Sequence, residues 1–315
     1  MPDSTNNPLS RLYAVVRPLL FISILGYLGW QIIAGWETVR AMQLAWHPLE
    51  LSLAAATGII AYQALLLAWL MLLCRTGLYR DGQLPLYARA WWQSFLYRYV
   101  PGKVLLLVER ARLGEPLGIP PAAGAILTVI ETLLSILAGS TISLLAVLYY
   151  TDAGPGLLAT VCVLAFGAVF LFPPAYRLIC DLPAIRKRYP ELGTIALGWR
   201  DIIAVTLPYL GYYLLLGLTL FLVARSVTPL GWSVLPGLCG VYALSHVVSL
   251  LAIVAPAGLG VREGALAVQL TQLVPQGVAG ILALLARLWF TLVELICYGV
   301  VALMTPLIEA GERRD

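Results

Sequence analysis

Nine of the charged residues within or beside long apolar stretches could do chemistry there: Lys103, Glu109, Arg110, Arg112, Glu131, Arg262, Glu263, Arg287 and Glu294. Three of them, Arg110, Arg112 and Arg262, suit the binding of phosphate. Arginine offers a planar fork of donors that matches phosphate oxygens. All three follow a proline break, at Pro101-Gly102 or at Pro256. A helix that restarts after such a break directs unpaired N–H groups at an anion. Lys103 adds a point charge at the first break. A local alternative competes: Glu109 neutralises Arg112 three residues on, and Glu263 neutralises its neighbour Arg262.

Glu131 and Arg287 lie deep in apolar runs. A charge at the centre of a membrane helix costs roughly 2.5–3.5 kcal/mol on insertion scales, so each needs a partner or a task. The repeat described next sets Glu131 on Ala286, beside Arg287. An ion pair between the two halves of the chain is therefore expected, with a gate or a headgroup contact as the functional alternative. Glu294 shares a helix face with Arg287 and reads as a proton carrier, a salt-bridge partner or an edge charge. His246 reads as a packed residue hydrogen-bonded to backbone. No metal-ligand cluster or nucleophile triad is visible, and no cofactor is expected. Gly258-Leu259-Gly260 fails as a dinucleotide loop, because Glu263 stands where the third glycine belongs.

The elements that must hold these charges occur twice. Tyr99–Glu131 reads YVPGKVLLLVERARLGEPLGIPPAAGAILTVIE, and its echo begins at Val254. At an offset of 155, Pro101 falls on Pro256, Pro120 on Pro275, and Ile126-Leu127 on Ile281-Leu282. Each copy has an apolar arm, a break, a charged short segment, a second proline and a long apolar run. The breaks are Pro101-Gly102 and Pro256 with Gly258 and Gly260. Proline removes a backbone donor, and in hydrocarbon a broken helix is tolerated only against protein or a water-filled cavity. Gly/Pro-interrupted segments at matching places in two halves point to a transporter's binding site.

Composition sets the class. The chain is 61% hydrophobic and 11% charged, with mean hydropathy +0.89. A soluble domain carries about 25% charged residues. Apolar runs extend from Leu19 to Leu307, so residues 1–315 read as a single integral membrane domain, with repeat halves at about 51–150 and 202–307. The net charge of +4 reads as a topology signal, and no nucleic-acid partner is expected. Five scattered cysteines without a CxxC read as helix-packing residues. Leu19–Gly35 behind Arg11 and Arg17 reads as a retained signal anchor.

The expected fold is an all-α polytopic membrane protein with six transmembrane helices and two re-entrant helical hairpins in an inverted repeat. The spans are Leu19–Gly35, Leu51–Leu73, Ala122–Tyr150, Gly156–Phe172, Ile202–Ala224 and Val278–Leu307. The hairpins are Leu84–Leu117 and Gly237–Leu273. With the N-terminus in the cytoplasm, thirteen Lys and Arg fall on inside segments, and only Arg40 and Arg225 fall outside. That follows the positive-inside rule and puts both termini in the cytoplasm. The arm Gly237–Ala255 is long enough to span as well, and that alternative stays open.

At VPGKVLLLVERARLG with its following TVIETL, and at VAPAGLGVREGAL, the chain resembles the lysylphosphatidylglycerol-synthase transmembrane family of flippase-like proteins. The matching residues are Pro101, Gly102, Glu109, Arg110 and Glu131, then Pro256, Gly258, Gly260, Arg262, Glu263 and Gly264. The resemblance implies a lipid transporter of the cytoplasmic (inner) membrane. Its substrate would be an anionic phospholipid or a polyprenyl-phosphate-linked lipid, its partner a lipid with a phosphate headgroup. It also implies that the fused aminoacyltransferase domain of some relatives is missing. The alternatives are a membrane-embedded lipid-modifying transferase, or an accessory subunit of a glycosyltransferase that meets a lipid-modifying enzyme.

Overall fold

A computed structural model of the chain describes residues 47–99, 104–149, 181, 183–194, 197–252, 260–274 and 276–312. The expected spans Leu19–Gly35 and Gly156–Phe172 lie outside the described residues, as do the break residues Pro101, Gly102, Lys103, Pro256 and Gly258 and both termini.

The described residues form helices and no strand. They are α1 (Pro48–Arg75), α2 (Leu84–Phe95, continued by a 3-10 turn at Leu96–Tyr99), α3 (Val104–Gly114) and α4 (Pro121–Tyr149). The short α5 (Pro183–Arg188) follows, then α6 (Trp199–Arg225), α7 (Leu235–Leu251), α8 (Val261–Leu270) and α9 (Gln276–Glu312). Five stretches are long and apolar enough to cross a membrane: Pro48–Arg75, Pro121–Val147, Trp199–Arg225, Trp232–Leu251 and Val278–Met304. About 20 helical residues cross the ~30 Å hydrocarbon layer. Four of these coincide with expected spans. The fifth is the arm α7 with its 3-10 lead-in, so span length is met where re-entry was the leading expectation. The corresponding arm α2 has 12 residues, roughly 18 Å, and is too short to cross.

Local chemistry explains the ends. Proline opens α1, where its missing N–H breaks no hydrogen bond. Glu50 in its first turn and Arg75 in its last complement the helix dipole. Gly77, at φ 70°, reverses the chain after α1. At the start of α6 the Asp201 carboxylate accepts from the Gly198 N–H at 2.9 Å. Glu263 does the same for Gly260 N–H at the start of α8, at 2.7 Å. Both are carboxylate caps on an otherwise orphan donor.

The order of a long helix, an arm, a short helix and a second long helix occurs twice, as α1–α4 and as α6–α9. Helices α4 and α9 begin at Pro121 and Gln276, 155 positions apart, so the sequence offset holds in the helix boundaries. The packing is reciprocal. Helix α4 lies against α7 of the other half, α9 lies against α2, and α1 pairs most extensively with α6. The α1–α6 pair is antiparallel throughout. Glu50 bonds Arg225 at 3.2 Å, Thr57 meets Thr219 at 2.9 Å, the rings of Tyr62 and Tyr212 lie 5.9 Å apart, and Arg75 bonds Asp201 at 2.9 Å.

Close approach of helices rests on small residues, as it does in lipid, where van der Waals packing rather than water exclusion joins helices. A Cβ on Gly217 of α6 would lie 2.5 Å from Cys239 Cα of α7. The Ser143 hydroxyl of α4 donates to the Gly240 carbonyl of α7 at 3.1 Å. The buried core is rich in aromatic side chains, among them Trp69, Trp91, Trp92, Tyr62, Tyr212, Tyr213, Tyr242 and Phe290.

Candidate functional site

Apart from Glu109, the buried charges fall into four groups around that core. In the first, Arg110 of α3 bonds Glu131 of α4 at 2.9 Å. Its Nε donates to the Ser94 hydroxyl of α2 at 2.6 Å. The Trp91 indole donates to the second Glu131 oxygen at 3.2 Å. The guanidinium lies 5.0 Å from the Trp69 ring and 5.4 Å from the Trp91 ring, in cation–π range. This group ties α2, α3 and α4 of the first half together.

The second group is centred on Glu294 of α9, which is 1% exposed. Its carboxylate accepts hydrogen bonds from the Tyr62 hydroxyl of α1 and, at 2.7 Å, from the Tyr99 hydroxyl. It also forms an ion pair with Arg98. Arg98 and Tyr99 end the 3-10 turn after α2, so the second half's last helix is bound to the end of that first arm. Three donors on one carboxylate are what a buried anion requires.

The third group joins Arg287 of α9 to Glu263 of α8 at 3.2 Å, with the Arg287 guanidinium 5.7 Å from the Tyr99 ring. In the fourth, Arg262 of α8 donates to the Tyr242 hydroxyl of α7 and lies 4.8 Å from the Tyr242 ring and 5.4 Å from the Phe290 ring. Arg262 is 5% exposed, and among the described residues no carboxylate contacts it within ion-pair distance.

The expected pair Glu131–Arg287 does not form: each residue bonds a charge on its own half's short helix. The two bridges are counterparts with reversed sign. The first half carries arginine on α3 and glutamate on α4, and the second carries glutamate on α8 and arginine on α9. The expected neutralisation of Arg262 by Glu263 is also replaced. Position 263 is in the first turn of α8, so its carboxylate folds back to the Gly260 N–H and across to Arg287, while Arg262 points to α7. The local pair of Glu109 with Arg112 does form, at 2.8 Å, with Glu109 buried and Arg112 exposed.

His246 meets the Tyr212 hydroxyl through Nδ1 at 3.3 Å and lies edge-on to Tyr213 and Tyr242. Sequence reasoning passed over Arg98, Ser94, Trp91, Tyr62, Tyr99 and Tyr242. A signal for Arg98 existed, since it interrupts an arm otherwise rich in Trp, Tyr and Leu. The hydroxyl partners carried none.

Chemically, the arrangement offers fixed cations, aromatic faces and carboxylates able to take a proton. Among the described residues no group of three His, Cys, Asp or Glu is placed to hold a metal ion. No protein-family model matches the chain, and no curated protein matches it.

Proposed function

We propose that the chain is a transporter that carries a lipid with an anionic phosphate headgroup between the leaflets of the cytoplasmic membrane. The headgroup would be a phospholipid's or a polyprenyl phosphate's. The observation that carries this reading is Arg262, a buried guanidinium at the start of α8 with no carboxylate within ion-pair distance among the described residues. An uncompensated charge at that depth is expensive, and a phosphate oxygen is the complement its fork of donors fits.

The wider architecture supports movement rather than static binding. Helices α1 and α6 hold corresponding places in the element order and run antiparallel, as a pseudo-two-fold relation between the halves would require. For helices that span the bilayer such an axis would lie in the membrane plane, which supports reading the halves as an inverted repeat of the kind found in alternating-access transporters. In this reading the full fold has six spans and two re-entrant hairpins, with both termini cytoplasmic. The hairpin around α2 and α3 enters from the cytoplasm and that around α7 and α8 from outside. The resemblance to the lysylphosphatidylglycerol-synthase transmembrane family at the two breaks points the same way.

The test is leaflet exchange in liposomes. Vesicles of phosphatidylcholine carrying fluorescent phosphatidylglycerol, or in parallel fluorescent polyprenyl phosphate, are quenched from outside. Purified protein should expose the inner-leaflet label without changing it chemically. Loss of one charge-assisted hydrogen bond costs about 1.5–3 kcal/mol, so Arg262→Ala should weaken lipid affinity by about 10- to 150-fold. Chemical conversion of either lipid would make the chain an enzyme. Equal affinity in wild type and Arg262→Ala would remove Arg262 from the site.

A further inference from the structure

Glu294 stands at the one described ion pair that joins the hairpin of the first half to the last helix of the second. The groups facing it come from every element around it. Helix α1 supplies Tyr62, and the turn after α2 supplies Arg98 and Tyr99. Tyr212 of α6 meets Tyr62 edge-on, with ring centres 5.9 Å apart, and Tyr242 of α7 lies 4.8 Å from Phe290 of α9. On α9 itself, Arg287 lies over Tyr99, and Cys297 accepts from Gln63. On α8, Glu263 is held by Arg287 and Arg262 by Tyr242.

When α2 and its 3-10 turn move against α9 as access alternates, Arg98 parts from Glu294. Two bare charges left in the membrane interior cost several kcal/mol each. A guanidinium cannot shed its proton in a protein, whereas a carboxylate can accept one. The carboxylate is therefore the partner that can be neutralised. Tyr62 and Tyr99 can still hydrogen-bond the acid, because a protonated carboxyl keeps acceptor capacity and gains a donor.

We infer that Glu294 is a proton-binding site that couples lipid movement to proton movement. This rests on the transport reading above. One proton from the aqueous side binds a Glu294 oxygen and ends the ion pair. Arg98 then joins Arg262 on the phosphate of an arriving monoanionic lipid, which becomes its counter-ion. When the lipid leaves, Glu294 releases the proton on the same side as the lipid and rebinds Arg98. One proton and one monoanion move together, so the cycle carries no net charge.

The experiment uses the full chain in phosphatidylcholine vesicles with fluorescent phosphatidylglycerol, entrapped pyranine and an imposed pH gradient of one unit, with protein-free vesicles as the baseline. One-to-one coupling holds up to about a tenfold difference in label between leaflets per pH unit. Pyranine should report about one proton per lipid. Glu294→Gln mimics the neutral acid and should still equalise the label, but with no asymmetry and no proton signal. The wild-type measurement stands by itself if that variant does not fold. Lipid movement indifferent to the gradient, or a Glu294→Gln protein that still accumulates label, overturns the coupling alone. A wild-type protein that moves no lipid overturns the transport reading and the coupling with it.

Discussion

Arg98 and Glu294 are bound to each other from opposite halves of the chain, one in the 3-10 turn that follows α2 and the other buried midway along α9. Removing one partner of a buried ion pair typically costs ~3–5 kcal/mol, because the other is left uncompensated. Arg98→Ala should lower the melting temperature of the detergent-purified protein well beyond any exposed substitution. Arg98→Glu with Glu294→Arg should recover part of the loss. Purely additive damage would show that the two side chains do not bond.

The Arg110–Glu131 bridge predicts a specific pattern of couplings. A double-mutant cycle on Arg110 and Glu131, read by thermal or denaturant unfolding, should give an interaction energy of about 0.5–3 kcal/mol. The same cycle on Glu131 and Arg287 should be additive within about 0.5 kcal/mol. A strong coupling in the second cycle would restore the pairing that the repeat alone suggests.

Helix proximity predicts an asymmetry between glycines of α6. A side chain at Gly217 meets Cys239 backbone, so Gly217→Val should destabilise by roughly 1–3 kcal/mol through overpacking. Gly211 has nothing within 4 Å of an added Cβ. Gly211→Ala should leave the melting temperature unchanged or slightly raised. Equal effects at the two sites would contradict the packing of α6 on α7.

The end bridges Glu50–Arg225 and Arg75–Asp201 are partly exposed, and bonds of that kind contribute about 0–1 kcal/mol. Neutralising Arg75 should therefore shift stability far less than neutralising Arg98. The comparison is one pair of melting curves.

Orientation is tested by cysteine labelling in a cysteine-free background. Position 228, in the turn after α6, should react from outside. Position 184, in α5, and both termini should react only after permeabilisation. A C-terminus labelled from outside would break the inverted arrangement and favour α7 as a full span.

By itself, the sequence determined the membrane class, the helical nature of the described spans, the two proline-punctuated segments and the repeat that relates them. All of these are local: hydropathy over some twenty residues, the missing donor of a proline, and a constant offset that survives from Pro120 and Pro275 into the starts of α4 and α9. It also determined the Glu109–Arg112 pair, because three residues along a helix are neighbours in any fold. Only the tertiary structure decided the other partners. Glu131 chose Arg110 over Arg287, Glu263 chose Arg287 over Arg262, and Glu294 took Arg98 with two tyrosines. A charge bonds what lies within about 4 Å, and that depends on the rotation of each helix about its axis and on which faces the packing of α1 on α6 leaves toward the centre. A repeat offset constrains neither.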